Sequence, residues 1–350
     1  MRRRVSLRTM IDFGGRMLPA GLLSKMSGVS LAAPCYHLVR DGALPPHIRH
    51  LYSCRSTKAF EGDLDYLLRW GAPVSLDDLE KSAGGVTKLP SRAFFVSFDD
   101  GLAEVADIVA PICLRKGVPM TMFLNSSIID SDELAWRHKV SLLIERLQVA
   151  TSAERKRVIA LLQARLSKPS NTDAASLLKA VTWADRQLLD LAAGVLNLDF
   201  RLWKTTNRPY LSSEQLRQMI ARGFSIGTHS DTHPLYSQLS DEQRINETQN
   251  CCTALSQLFG SRSRPFAFPF VSDGVPADFF VEAFHSGLAS LIFCIGGHPM
   301  EGHPRVIERF VVEDWPDQSM EIIFRRYQTH QTLSRFRKCC RRGSGGAATI

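Results

Sequence analysis

The 350-residue chain is 44% hydrophobic and 22% charged, enough apolar material for one barrel-sized domain with an insertion or for two domains. No stretch of about 18 uncharged apolar residues occurs, which argues against a transmembrane helix. The formal charge of +8 sits at the ends: residues 1–40 and 325–350 are strongly basic while 41–324 is mildly acidic, a distribution unlike a nucleic-acid groove.

Residues 1–30 form a basic N-terminal segment. It starts Met1-Arg2-Arg3-Arg4, but Asp12, Gly14, Gly15 and Arg16 break any apolar core that a secretory signal would need. A cytoplasmic location is therefore expected, with the periplasm or a membrane surface as alternatives. The eight cysteines contain no Cys-x-x-Cys, and most lie in apolar runs, as buried thiols in a reducing compartment would. Strands are expected at Leu31–His37, Ala93–Phe98, Met120–Leu124, Phe224–Thr228, Phe266–Phe268, Leu291–Ile295 and Val306–Val312. Helices are expected at Ser56–Trp70, Glu104–Lys116, Ser212–Arg222 and Asp241–Phe259. This alternation implies a mainly parallel sheet, open or closed into a barrel. Residues 131–209 interrupt it with helical periodicity and no β signal, and read as a helical insertion that either covers the barrel rim or merely decorates it. Residues 325–350 read as a basic, flexible tail, glycine-rich from Gly343 onward.

Two motifs follow strands. Ser97-Phe98-Asp99-Asp100-Gly101 ends the second run, and Gly227-Thr228-His229-Ser230-Asp231-Thr232-His233-Pro234 ends the fourth. Each alone is ambiguous, since Asp-Asp-Gly is often a turn and two histidines four apart can stack on a helix. The His233-Pro234 step speaks against a helix there, because the residue before proline avoids the α region. Catalytic residues of α/β folds gather at the carboxyl ends of strands. One aspartate with two histidines makes a metal site with an open position, and the second aspartate is free to act as a base. On a strand end the two carboxylates should point to opposite sides and take separate tasks. Together the motifs point to metal-assisted hydrolysis.

Over roughly residues 31–315 the sequence resembles the polysaccharide deacetylases of the NodB homology type (carbohydrate esterase family 4). The resemblance rests on Ser97–Gly101, on 227–234, on the run from Leu211 to Gly227, and on Arg264-Pro265-Phe266-Ala267-Phe268-Pro269-Phe270. It implies a distorted (β/α) barrel of about seven parallel strands spanning 31–324, with the helical insertion at 131–209.

The resemblance also implies roles. Asp99 would be the general base, and Asp100, His229 and His233 would hold a divalent metal, Zn2+ first, with Co2+, Ni2+ or Mn2+ also acceptable to nitrogen and oxygen ligands. His37, closing the first strand in a Tyr36-His37-Leu38-Val39 setting, is the candidate general acid, with His298 and His303 as rivals. The backbone N–H of Phe270 would serve the oxyanion. Ala267 stands where many members carry an arginine, so Arg309 is the candidate to orient Asp99, and Trp315 is the candidate cleft wall. The implied substrate is an N-acetylglucosamine-containing oligosaccharide or polysaccharide, and a cytoplasmic location would favour a short or lipid-linked one. An O-acetyl esterase or other deacylase, and an inactive carbohydrate-binding member, are the alternatives. The sequence says nothing of oligomeric state.

Overall fold

A computed structural model describes residues 19–344. Its strands are β1 (Leu31–Ala32), β2 (Pro34–Tyr36), β3 (Ala72–Pro73), β4 (Ala93–Phe94), β5 (Val96–Asp99), β6 (Met120–Leu124), β7 (Ser225–Thr228), β8 (Phe266–Ala267), β9 (Ile292–Cys294), β10 (Val306–Glu308) and β11 (Phe310–Val311). All strand pairings are parallel. The main sheet runs β10-β9-β8-β7-β6-β5-β2-β11. Its two ends, β10 and β11, are halves of one run broken at Arg309. Arg309 N–H donates to the Cys294 carbonyl at 2.7 Å, and Phe310 N–H donates to Ala33 at 3.1 Å. The last run thus changes partner from β9 to β2 and closes the ring. Seven runs make the barrel, as the resemblance implies. The short β3, absent from the sequence reading, pairs with β4 beside β1 at the amino ends.

Strand alternation sorts the side chains into two layers. Ala33, Phe95, Phe123, Ala267, Phe293 and Ile307 face inward and fill the barrel, with Phe95, Phe123 and Phe293 in ring contact. Leu76 and Leu79 of the helix Leu76–Ala83 join this cluster from one end. Ala32, Tyr36, Phe94, Val96, Phe98, Met120, Met122 and Leu124 face the surrounding helices. These include α1 (Ala20–Ser27), α2 (Thr57–Trp70) and the long helix Asp241–Phe259. Burying a large apolar side chain contributes roughly 1.5–3 kcal/mol, so the two layers dominate stability.

The insertion consists of five helices, Trp136–Gln148, Ser152–Gln163, Ala174–Ala180, Gln187–Val195 and Phe200–Asn207, packed around their own core. Two terminal expectations need correction. Residues 325–344 are not a flexible tail: Met320–Ser344 is one helix, lying against α1 and α2. Its apolar face holds it there. Ile323 and Phe324 are buried, Phe324 meets Trp70 at 4.8 Å, and Tyr327 stacks on Phe310 at 4.6 Å. Within the basic N-terminal segment, residues 20–27 are likewise helical, with Leu23 fully buried. The remainder of both calls, residues 1–18 and 345–350, lies outside the described residues. Among the described residues no helix is long and apolar enough to cross a membrane. Among the described side chains six cysteines are free, and all of these but Cys54 are buried.

Candidate active site

The inward-facing alternation continues past the strand ends. Ser97 and Asp99 share the inner face of β5, Cys35 and His37 that of β2, and His229 follows β7. The register Cys35–Ser97 and Tyr36–Phe98 sets His37 level with Asp99 on the neighbouring strand. Gly227 permits this convergence: a Cβ there would fall 2.5 Å from two ring atoms of Phe123, which fills the space beneath His229.

Asp99 is 1% exposed and held from both sides of its carboxylate. Arg309 donates from Nη1 to Oδ1 at 2.7 Å and from Nη2 to Oδ2 at 2.8 Å, and its Nη1 also reaches Ser97 Oγ at 3.2 Å. The Cys35 thiol donates to Oδ2 at 3.3 Å. Burial, the largest influence, raises the Asp99 pKa, but Arg309 and His229 outweigh it and hold the carboxyl below its ordinary value. Burial likewise pushes the Cys35 thiol well up, so it stays protonated as a donor.

Asp100 does not continue the strand. It adopts φ +67°, and Gly101 follows at +63°. The two carboxylates therefore do not diverge to opposite faces as strand alternation implies. The left-handed turn brings both to His229, whose Nε2 lies 3.7 Å from Asp99 Oδ2 and 3.6 Å from Asp100 Oδ1. Asp100 Oδ1 also lies 3.2 Å from His233 Nε2. Ser230 and His233 are left-handed too, at +66° and +60°. Such residues cost of order 1–3 kcal/mol each and persist where the surroundings impose them.

The surroundings here are specific. His229 Nδ1 donates to the Ala267 carbonyl at 2.8 Å, which leaves Nε2 bare as a ligand atom. Burial keeps His229 down at about 4, hence neutral. Asn125 donates to the carbonyls of His229 and Ser230. Glu247 accepts from Thr232 N–H at 2.8 Å and from its hydroxyl at 2.7 Å. From the insertion, Trp136 Nε1 donates to the His233 carbonyl at 2.9 Å and Trp183 Nε1 to Thr232 Oγ1 at 2.7 Å. The insertion thus braces the loop that carries His233.

Asp100, His229 and His233 offer ligand atoms that all lie within 4.8 Å of one another. Asp100 Oδ1 is buried with no hydrogen-bond partner. Burial raises the Asp100 pKa, yet His233 and the other nearby histidines drive it far below the ordinary carboxylate range, so it is anionic. One anionic oxygen and two imidazoles, with an orphaned buried acceptor at the centre, fit a divalent cation.

His37 stands at the same rim. Its Nδ1 donates to Glu313 Oε2 at 2.9 Å, while Glu313 Oε1 accepts the N–H groups of His37 and, at 2.8 Å, Leu38. Burial opposes charge on this ring, but Glu313, with Asp100 and Asp99 behind it, raises its pKa to about 9. The rivals stand elsewhere. His298 is buried 3.4 Å from Glu308, and His303 stacks on Phe284 at 5.0 Å and accepts from Arg305 N–H. Phe270, left-handed at φ +60°, sets its ring edge-on to His233 at 4.6 Å. Trp315 is not a wall of this cluster. It packs on the outer core with Arg326 over its ring at 5.3 Å, and its carbonyl accepts from Arg55. The loop it stands on contributes Glu313 instead. Arg55, paired with Asp63 at 2.6 Å, anchors that loop to α2 through the carbonyls of Trp315, Pro316 and Gln318.

The chain belongs to the polysaccharide deacetylase family, which residues 87–275 match. It is a hydrolase of the polysaccharide deacetylase class. Among solved structures it is similar to the Streptococcus pyogenes deacetylase PplD in complex with acetate, at 12% identity and TM-score 0.54, over 85% of this chain and 97% of that one. IcaB from Ammonifex degensii gives 17% and 0.51, over 85% and 98%. A de-N-acetylase from Aggregatibacter actinomycetemcomitans gives 14% and 0.51, over 85% and 99%. At these identities the likeness is one of fold. A comparison with curated proteins gives no match.

Proposed function

We propose that the protein removes N-acetyl groups from an N-acetylglucosamine-containing oligosaccharide or polysaccharide by metal-dependent hydrolysis. The observation that carries this reading is the Asp100–His229–His233 cluster set beside an Arg309-clamped Asp99, with Glu313-held His37 on the adjacent strand end. A divalent cation on that cluster, Zn2+ first and Co2+, Ni2+ or Mn2+ next, would acidify a bound water and polarise the acetyl carbonyl.

The residues divide the proton work. Asp99, kept ionised and oriented by Arg309, accepts the proton of the attacking water as its oxygen bonds to the acetyl carbon. His37, kept protonated by Glu313, delivers a proton to the glucosamine nitrogen as the C–N bond breaks, giving acetate and a free amine. The Phe270 N–H is the candidate donor to the oxyanion.

Elemental analysis and acetate release on an acetylated chitooligosaccharide panel test the reading. His229→Ala should lose both metal and turnover. Asp99→Asn should keep metal and lose about 10²–10⁴-fold in rate, the usual worth of general-base catalysis. Full metal in His229→Ala would sink the ligand assignment. Release of acetate from O-acetyl but not N-acetyl sugars would make the protein an esterase on the same fold.

A further inference from the structure

The loop after β11 carries Glu313, and residues 312–318 are a run of turns and bends. Inside it, Trp315 N–H donates to the Val312 carbonyl at 3.2 Å and Gln318 N–H to that of Trp315 at 3.1 Å. Such a segment takes its placement from what surrounds it.

Arg55, 2% exposed, joins this loop to the strand that ends in His37. Its main chain extends the ladder beyond β2: Arg55 N–H donates to the Leu38 carbonyl at 3.2 Å, and Arg40 N–H donates to the Arg55 carbonyl at 2.9 Å. Its Nη1 donates to the carbonyls of Trp315, Pro316 and Gln318. Its Nε and Nη2 grip Asp63 of α2 at 2.9 and 2.6 Å, and Asp63 Oδ2 also accepts from the Tyr36 hydroxyl at 3.3 Å. Two positions earlier, Ser53 Oγ donates to the Glu313 carbonyl at 2.6 Å. One side chain therefore connects the residue before His37, the residue after it, and the loop of its partner carboxylate.

Stability does not account for this arrangement. Burial raises the Asp63 carboxyl to about 6, although Arg55 and Tyr36 pull the other way, so at neutral pH its charge opposes folding. Buried ion pairs are often no more stabilising than apolar residues of the same size. An apolar pair could not donate to three convergent carbonyls while holding a carboxylate, which the five N–H groups of a planar guanidinium can do.

His37 is where the placement matters. Its Nδ1 lies 2.9 Å from Glu313 Oε2, and a shift of about 1 Å would take the pair beyond hydrogen-bond reach. Asp100 and Asp99 also act on the ring, His138 lies behind them, and the Tyr52 ring packs on it at 5.0 Å.

We propose that Arg55 is a positioning residue for the proposed acid: it fixes the Glu313 loop against the end of β2 and so sets the distance between His37 and Glu313. The inference takes the role of His37 from the N-deacetylase reading above.

The test compares the parent, in the presence of Zn2+, with two variants. Arg55→Met combined with Asp63→Asn removes both charges and leaves neither unpaired. Arg55→Lys keeps a charge against Asp63 without the fork. The first readout is the proton affinity of His37, followed by imidazole nitrogen NMR. It should fall by at least about tenfold in the double variant, since a carboxylate neighbour is worth about 10- to 10³-fold. The basic limb of kcat/KM on the N-acetylglucosamine tetramer should move to lower pH with it. Hydrolysis of nitrophenyl acetate, whose leaving group departs without a proton, should hardly change. Leu64→Ala, a packing lesion in the same helix, should leave the His37 proton affinity as it is. Arg55→Lys carries the same expectation if the double variant does not fold. An unchanged His37 proton affinity in a folded variant, or an equal fall in Leu64→Ala, would overturn the positioning role and leave the deacetylase reading standing. A parent that releases no acetate from the tetramer would overturn that reading, and the nitrogen shifts would still decide the role of Arg55.

Discussion

The Arg309 guanidinium grips both oxygens of Asp99, at 2.7 and 2.8 Å, from the one residue at which the last strand run changes partners and closes the barrel. Barrel closure and the orientation of Asp99 are thus one structural event. The guanidinium is also stacked 5.1 Å over Phe123, the ring beneath the site, so its plane is set by packing as well as by charge.

Arg309→Lys keeps the charge and loses the fork, and a lysine is no equivalent at a bidentate, stacked position. We expect kcat to fall by about 10²-fold, the cost of a misplacement of the order of 1 Å, with metal content preserved. The acid limb of the pH–rate profile should move up, because Arg309 is what chiefly offsets burial in holding Asp99 low. An unchanged acid limb would show that another group sets the base's ionisation.

Glu313→Gln tests the role proposed for His37 as the acid. Glu313 raises the His37 pKa to about 9, and His37 must be protonated to donate, so activity should decline as pH rises through that value. Without the carboxylate the basic limb should move to lower pH. Stability follows the same sign. His37 binds its proton more tightly folded than unfolded, so the pair's contribution is fully present below about 6.5 and lost as pH rises toward about 9. Denaturant unfolding should find the variant more destabilised near pH 6 than near pH 9.5; the reverse order would refute the pairing.

Much of this site was legible because its chemistry is local. Asp99 and Asp100, and His229 and His233, are short-range motifs at strand ends, and a strand followed by a carboxylate or imidazole declares itself in sequence. Glu313 and Trp136 were not legible. Their contacts to His37 and His233 span 276 and 97 positions, and neither has a distinctive neighbourhood. The Asp100 turn was misread because strand alternation was carried one residue too far. The helix 320–344 was masked by its basic composition, although Ile323, Phe324 and Tyr327 already outline a helical face.

Gly227→Ala should destabilise by about 1–3 kcal/mol, the usual cost of overpacking a filled core. The new methyl would meet the Phe123 ring at 2.5 Å and the Pro265 carbonyl at 3.0 Å. Phe123 cannot swing aside, being pressed against Phe293 at 4.9 Å. Gly62→Ala serves as the contrast: it sits exposed inside α2 with nothing within 4 Å of the added Cβ, and should stabilise by roughly 0.5–1 kcal/mol. Equal unfolding midpoints for the two variants would contradict the packing account.

Trp136→Phe asks whether the insertion tunes the proposed metal centre. The indole N–H donates to the carbonyl of His233, a left-handed residue whose loop is held by contacts from outside it. Phenylalanine keeps most of the ring, including its edge-on approach to Phe270 at 6.3 Å, and removes only the donor. Loss of such outer hydrogen bonds typically weakens metal binding by about 10–100-fold. Titration of the metal-free protein against a competing chelator should show that loss with little change in thermal stability, since one neutral hydrogen bond is worth only about 0.5–1.5 kcal/mol. Unaltered affinity would mean that Glu247 and Ser230 hold the loop of His233 without help from the insertion.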